Sequence, residues 1–323
     1  MTEAILLVGG MGTRLMPLTR NTPKPMLPVA GLPVTEHQLL MAKRAGITSV
    51  VLATSYLSEI FIPYFGDGSK WGMDLRYAVE DKPLGTGGAI RNAAAHLHGD
   101  DTVAIFNGDV ISGHDLTEQI NFHARNQAEV TLHLTRVDDA RAYGCVPTET
   151  DGRVSAFLEK MDKPVTNTIN AGCYLFDRSV IDLIPPHSVV SIEREIFPDL
   201  VLQGKKVFGF IDDSYWLDIG TPTALLKGSR DLVAGALGGH ASTFVVGQGS
   251  LIDPGAQVGG GSALGINVHV EERAVIEGSI VCDEVRVGQG SHIIDSFIAP
   301  GMVIPPDSKI IDSYCAKDGI SPL

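Results

Sequence analysis

The chain has 323 residues, 44% of them hydrophobic and 20% charged, which excludes wholesale disorder and provides for one large domain plus a smaller one. Acidic residues outnumber basic ones, 38 to 25, for a formal net charge of −13. A general binder of nucleic-acid backbones needs the opposite sign, so any phosphate must be held by a local cluster of cations.

Ala4–Val8 is a short apolar run that stops at Gly9-Gly10, as a buried strand feeding a tight turn does. Apolar residues at helical spacing follow from Val34 to Ala45. Strands are predicted at Ser49–Ala53 and Leu75–Val79, and a helix over the alanine-rich Gly87–Leu97. Thr102–Phe106 reads as a strand ending at Asn107-Gly108-Asp109. Leu116–Arg125 reads as a helix and Glu129–Arg136 as a strand. Strands alternating with helices predict an α/β domain with a mixed, mostly parallel, Rossmann-like sheet. Ligands of such sheets sit at the carboxyl ends of the strands, where Gly9-Gly10 and Asp109 fall.

Beyond Asp109 the order loosens. Val154–Phe157, Ala171–Phe176 and Lys206–Ile211 are strand candidates of an added, partly antiparallel section, and Thr223–Ala234 is a helix candidate. The small, glycine-rich segment 234–242 reads as a junction. The expected domains are residues 1–237 and 243–323.

From Thr243 aliphatic residues recur every six: Val246, Ile252, Val258, Leu264, Val270 and Ile276. The phase slips by one residue, resumes at Val287 and Ile293, slips again, and resumes at Ile298, Ile304 and Ile310. This period predicts a short parallel β-helix of roughly four coils, at about 18 residues per coil. Its open end must be covered, so a homo-oligomer is expected. Removing residues from Thr243 onward is expected to weaken assembly more than the Arg14 and Asp109 site.

No apolar run reaches the roughly 18 residues of a membrane span, and Ala4–Val8 lacks the length and basic flank of a secretory signal. A cytoplasmic location is expected. Cys145, Cys173, Cys282 and Cys315 show no metal or redox spacing and are expected to be free thiols.

The most informative stretch runs from Leu7 to Pro33. Glycines at 9, 10 and 12 open a loop whose backbone N–H groups can approach phosphate oxygens. Arg14 follows, then Lys24 in a proline-stiffened segment. Two cations beside a glycine nest suit a polyphosphate. The loop lacks the third glycine of the dinucleotide fingerprint and the Gly-Lys-Ser/Thr of a Walker loop.

The run Gly9-Gly-Met-Gly-Thr-Arg-Leu15, with Pro23-Lys-Pro-Met-Leu-Pro28, resembles the signature of the sugar-1-phosphate nucleotidyltransferases, or NDP-sugar pyrophosphorylases. Glu80 to Ala89, containing Pro83-Leu-Gly-Thr-Gly-Gly88, is similar to the base-binding segment of the family's guanylyltransferase branch. The six-residue repeat fits too, because many members end in a left-handed β-helix. The resemblance implies transfer of a nucleotidyl group from an NTP, GTP above all, to a sugar 1-phosphate, mannose 1-phosphate above all, with Mg²⁺.

It also implies roles. Leu7, Gly9, Gly10, Gly12, Thr13, Arg14, Glu80, Gly85 and Thr86 would bind the nucleotide, with Arg14 on the β- and γ-phosphates. Lys24 would counter charge on the α-phosphate. Asp109 and Asp218 would hold Mg²⁺. Gly144, Glu159, Lys160 and Asn170 would bind the sugar phosphate, with Tyr143 bordering it. A carboxylate can accept from guanine N1–H and N2–H₂ together, so Glu80 is the candidate base selector.

The chain departs from the family at two points. Glu159-Lys160 is followed by Met-Asp-Lys-Pro164 where relatives often run Glu-Lys-Pro, and Met11 stands where they often carry lysine or a small residue. The Gly85-Thr-Gly-Gly88 variant keeps a heptose, glucose or cyclitol phosphate open. A non-catalytic NDP-sugar-binding subunit and an acyl-transferring β-helix are the competing classes. His114 is read as a satisfied loop histidine, Trp71 as core, and Trp216 as core or as a wall of the site beside Asp218.

Overall fold

The computed structural model describes residues 2–55, 57–99 and 101–323. The chain falls into two compact units. One comprises Met1–Met11 and Thr35–Trp216, the other Gly12–Val34 and Leu217–Leu323.

The first unit is built on a mixed sheet. Its main strands are β1 (Glu3–Leu7), β2 (Ser49–Thr54), β3 (Asp74–Val79), β4 (Thr102–Asn107), β5 (Val130–Arg136), β6 (Thr168–Asp177) and β7 (Val207–Ile211). Across the sheet they run β7-β5-β6-β4-β1-β2-β3. β1 pairs in parallel with β2 and β4, and β2 with β3. β6 runs antiparallel to β4 and β5, while β7 is parallel to β5. Helices α1 (Val34–Arg44), α2 (Gly85–Ala94) and α3 (Leu116–Asn126) alternate with the strands. The near-continuous apolar runs of β1, β2 and β4 are buried, as strands covered on both faces must be. Ile5, Val51, Ile105, Leu132, Tyr174 and Phe197 lie in one core.

One predicted strand is not formed. Val154–Phe157 makes only an isolated bridge, Val154 to Thr148, beside that of Arg153 to Phe208, and the ladder forms instead at Leu158–Glu159. Val154 and Phe157 are buried in the core as loop residues. Their alternation reports side-chain packing rather than strand pairing.

The second unit contains the six-residue repeat. Its strands stack in three parallel sheets, one of which is closed by an antiparallel strand, Gly319–Pro322, the arrangement of the left-handed parallel β-helix. Successive strands of one sheet begin at Phe244, Ser262, Ile280, Phe297 and Ser313. Phe244 pairs with Ser262, an offset of 18, whereas Ile280 pairs with Phe297, an offset of 17. The one-residue phase slips are therefore coils shortened at a corner. Leu264, Val281, Ile298 and Cys315 stack in register down one face of the interior.

The same unit includes residues 12–34 and α4 (Pro222–Val233). Thr221 caps α4 by accepting from the Ala224 N–H at 3.2 Å. The Ala30 N–H donates to Ser229 Oγ at 3.0 Å. At the other side of α4, Arg230 Nε donates to the Gly278 carbonyl at 2.9 Å, and Nη2 lies 2.6 Å from Asp295. Gly261 and Gly278, both with positive φ, leave room for that side chain.

Candidate active site

In the first unit the carboxyl ends of β1 and β4 lie side by side, Leu7 opposite Asn107. Beyond β1, Ser55 Oγ donates to the Gly9 carbonyl at 2.6 Å, and a Cβ at residue 9 would collide with that hydroxyl. Beyond β4, the Gly108 N–H donates to the Leu7 carbonyl at 3.0 Å, and a Cβ at 108 would strike that oxygen. These close approaches account for a glycine at each strand exit.

Asp109 sits half-buried in the turn that follows. The turn is clamped from α1. Gln38 Nε2 donates to the carbonyls of Asn107 at 2.7 Å and Val110 at 2.9 Å, one on each side of Asp109. Gln38 is buried. Nothing in its sequence context distinguishes it from any polar helix residue.

In the second unit Gly12 takes a left-handed conformation, φ 61°, with Lys24 and Thr19 packed where a Cβ would stand. Thr19 Oγ1 donates to the Gly12 carbonyl at 2.9 Å. This turn seats Lys24, which is only 7% exposed. The Lys24 ammonium lies 3.8 Å from Asp218 Oδ1, and Arg14 Nη2 lies 4.0 Å from Asp218 Oδ2. The Arg14 guanidinium rests over Gly220, where any side chain would meet it. Arg14, Lys24 and Asp218, scattered in sequence, thus form one charged cluster. Thr13 is exposed beside it.

The predicted base-binding segment lies in the first unit. Glu80 is half-buried at the end of β3. Its Oε2 accepts from the Leu84 N–H at 3.3 Å, while Oε1 is buried without a hydrogen-bond partner among the described residues. Burial raises its pKa above the ordinary glutamate value. Gly85 has φ 72° and sits against the Val190 carbonyl, where a Cβ would clash. Thr86 Oγ1 donates to Glu193 Oε2 at 2.7 Å and accepts from the Ile192 N–H at 2.9 Å. Glu193, also hydrogen-bonded by Ser191 Oγ at 3.0 Å, is a site carboxylate that sequence reading missed.

The predicted sugar residues gather in this unit as well. Gly144 and Glu159 are directly paired across two short antiparallel strands. A side chain at 144 would collide with Glu159 Oε2. Lys160, in a left-handed conformation, holds its ammonium 3.7 Å from Glu159 Oε1. Asn170 lies on β6 beside this pair, since Ile169 pairs with Cys145. Its Oδ1 accepts from the Gly172 N–H at 3.1 Å, at a register shift between Asn170 and Tyr174. Trp216 Nε1 donates to the Ala171 carbonyl at 2.9 Å, and its ring meets Tyr143 edge-on at 5.4 Å.

His114 is buried, bonded to Ser112 Oγ at 2.9 Å and Gln119 Oε1 at 3.0 Å. Trp71 is buried and donates to Glu36 at 3.0 Å. All four cysteines are buried free thiols. Among the described residues no helix is long and apolar enough to cross a membrane.

Comparison with known proteins identifies the family. The nucleotidyl transferase family matches residues 3–235, and the GlmU-like C-terminal hexapeptide family matches residues 233–314. A mannose-1-phosphate guanylyltransferase of Mycobacterium tuberculosis is 49% identical over 90% of this chain and 82% of its own length. A probable mannose-1-phosphate guanylyltransferase of Oryza sativa is 35% identical over 96% and 98%. Among solved structures, HddC of Yersinia pseudotuberculosis complexed with GMP-PN superposes with a TM-score of 0.61, at 26% identity over 72% of this chain and all of that one. The chain belongs to the nucleotidyl transferase family and carries a hexapeptide-repeat β-helix at its C-terminal end.

Proposed function

We propose that the protein transfers the guanylyl group of GTP to mannose 1-phosphate, giving GDP-mannose and pyrophosphate. The observation that carries this reading is the buried Lys24, seated by the Gly12 turn 3.8 Å from Asp218, with Arg14 on the same carboxylate. A lysine is rarely buried so deeply without a task for its charge. The names of the similar guanylyltransferases support GTP and mannose 1-phosphate as the substrates.

The sugar phosphate is ionised at neutral pH, so its oxygen can attack the α-phosphorus in line without a strong base. Pyrophosphate leaves, and no covalent enzyme nucleophile is needed. Catalysis then rests on positioning and on countering charge. Arg14 counters the leaving phosphates and Lys24 the α-phosphate. Glu159 and Asn170 hold sugar hydroxyls, and Lys160 meets the sugar phosphate. Glu80 accepts from the guanine edge.

Mg²⁺ takes oxygen donors and needs only one or two carboxylates beside phosphate oxygens. Asp109 and Asp218 are half-buried carboxylates of that kind, so the donor chemistry fits. When bound, Mg²⁺ neutralises phosphate charge and helps align the reacting groups.

A non-catalytic role loses support because Arg14, Lys24, Asp109 and Asp218 are all present. We also propose a homo-oligomer assembled through the β-helix, whose last coil exposes Val303 and Ile311 and whose C-terminal antiparallel strand exposes Ile320. The buried free thiols suit the cytoplasm.

The test is pyrophosphate release with Mg²⁺ and mannose 1-phosphate, offering each common NTP in turn. Release with GTP alone is expected. Release from none, or only with another sugar phosphate, overturns the substrate assignment. Sedimentation at micromolar concentration checks assembly, and a monomer alone would remove the oligomer proposal.

A further inference from the structure

Tyr174 has a fully buried side chain in the centre of the first unit, yet it ends in a polar group. Its ring is held edge-on by Phe176 and Phe197. Its hydroxyl has two neighbours, both at sites already described. Asn170 Nδ2 donates to it at 2.9 Å. The Asn107 amide lies on its other side, with Nδ2 at 3.2 Å and Oδ1 at 3.4 Å. Phenylalanine would fill the same space, so packing alone does not require the hydroxyl.

The two asparagines are far apart in sequence and sit at different strands. Asn107 ends β4, and its main-chain carbonyl is already fixed by Gln38. Asn170 lies at the irregular part of β6, where the ladder with β5 is interrupted between Asn170 and Tyr174. A broken ladder leaves that stretch of backbone less determined by its neighbours. The Gly172 N–H bond and the Tyr174 hydroxyl are what orient the Asn170 amide.

We infer that Tyr174 is a positioning residue whose buried hydroxyl bridges the Asn170 amide, on the sugar side, to the Asn107 amide, beside Asp109. The bridge holds the Asn170 amide ready for a sugar hydroxyl and ties its position to the turn that carries Asp109. Burial, together with the nearby charges of Glu193 and Asp109, pushes the phenol far above its ordinary pKa. The hydroxyl therefore stays protonated and acts by hydrogen bonding, not by ionising. The inference rests on the assignment of Asn170 to the sugar and of Asp109 to the metal.

The test is Tyr174→Phe in the full-length enzyme, read by steady-state kinetics, by calorimetric titration with GDP-mannose in EDTA, and by thermal unfolding. Loss of one buried, neutral hydrogen-bonding bridge is expected to raise KM for mannose 1-phosphate about 5–20-fold. GDP-mannose binding should weaken by a similar factor, with KM for GTP unchanged and Tm lowered by only a few degrees. A lowered Tm with both sugar readouts unmoved would make the hydroxyl merely structural and overturn the inference. So would an equal loss for both substrates.

Asn170→Ala is the companion variant. If it raises KM for mannose 1-phosphate while Tyr174→Phe does not, the positioning role fails alone. If Asn170→Ala leaves that KM unchanged, the sugar assignment itself fails and the inference with it. Should Tyr174→Phe not fold, Asn107→Ser cuts the other end of the bridge and must reproduce the rise in sugar KM.

Discussion

The Lys24 ammonium stands 3.8 Å from the Asp218 carboxylate, with the lysine almost wholly buried and the aspartate partly open to solvent. Each charge offsets the cost of burying the other, and Arg14 faces the same carboxylate, so removing either member weakens the whole cluster. Lys24→Met is therefore expected to lower kcat by about 10²–10³-fold, the range for losing one preorganised charge at a reacting phosphate. Asp218→Asn should cost activity as well, and it should lower Tm more than Lys24→Met does. Lys24→Arg should not restore activity, since the seat formed by Gly12 and Thr19 is fitted to a slim side chain. Steady-state kinetics and thermal unfolding of the three variants check this. Near-normal turnover in Lys24→Met would remove the lysine from the reaction.

Gly12 makes that seat possible. At φ 61° a side chain is strained, and its Cβ would come 2.9 Å from Lys24 Cβ and 3.0 Å from Thr19 Cγ2. Gly12→Ala is expected to cost about 1–3 kcal/mol of stability and to lower kcat, because the lysine is displaced. Gly10→Ala, two residues earlier, has open space around it and should leave Tm unchanged. Equal behaviour of the two variants would argue that the seat is irrelevant.

The glycine loop was legible in the sequence because glycine and proline punctuate it so heavily. Asp109 was legible because a strand visibly ends before it. The six-residue repeat announced the β-helix, even its one-residue slips. What the sequence hides is side-chain traffic over long separations. Gln38 looks like any helix residue, yet it brackets the Asp109 turn. Glu193 lies in a short helical turn of no obvious pattern, yet it receives the Thr86 hydroxyl. Tyr174 reads as one more core aromatic. The strand expected at Val154–Phe157 failed for a related reason: apolar alternation marks burial, and burial does not require a ladder.

Glu80 offers a test of base choice. Its Oε1 is buried without a partner among the described residues, and burial raises its carboxyl pKa. Two donors on one guanine edge would relieve both. Glu80→Gln keeps the shape but replaces one acceptor with a donor. It is expected to cut kcat/KM for GTP by about 10-fold or more while changing that for ATP little. An unchanged GTP-to-ATP ratio would remove Glu80 from base selection.

The β-helix is expected to matter beyond assembly. On sequence alone the tail from Thr243 looked separable from the Arg14 site. Arg230 argues otherwise, because it fastens α4 to the Gly278 carbonyl and to Asp295. The start of α4 follows directly on Asp218 and Gly220, against which Arg14 rests. Truncation before Thr243 should therefore reduce kcat at least 10-fold, even if the remainder stays folded. Arg230→Ala should reproduce part of that loss without changing the sedimentation coefficient. A truncated chain with full activity would sink the idea.

Acid should destabilise the first unit through a pair of histidines. His114 and His133 stack with ring centroids 3.8 Å apart, both buried. His114 is bonded to Ser112 and Gln119, and Asp115 and Asp212 face it; Asp212 also faces His133. Burial nonetheless lowers the His114 pKa from 6.5 to about 4. Burial also holds the His133 pKa well below its ordinary value, with the neighbouring His114 adding to the shift. A depressed histidine pKa means that the unfolded chain binds the proton first. Stability is therefore full above about pH 6.5 and falls as the pH drops toward 4. For His114 alone the loss is on the order of 3 kcal/mol across that window. His114→Gln, which keeps a neutral hydrogen-bonding side chain, should flatten the fall in urea-unfolding free energy between pH 6.5 and 4.5. An equally steep fall in that variant would assign the acid sensitivity to carboxylates instead.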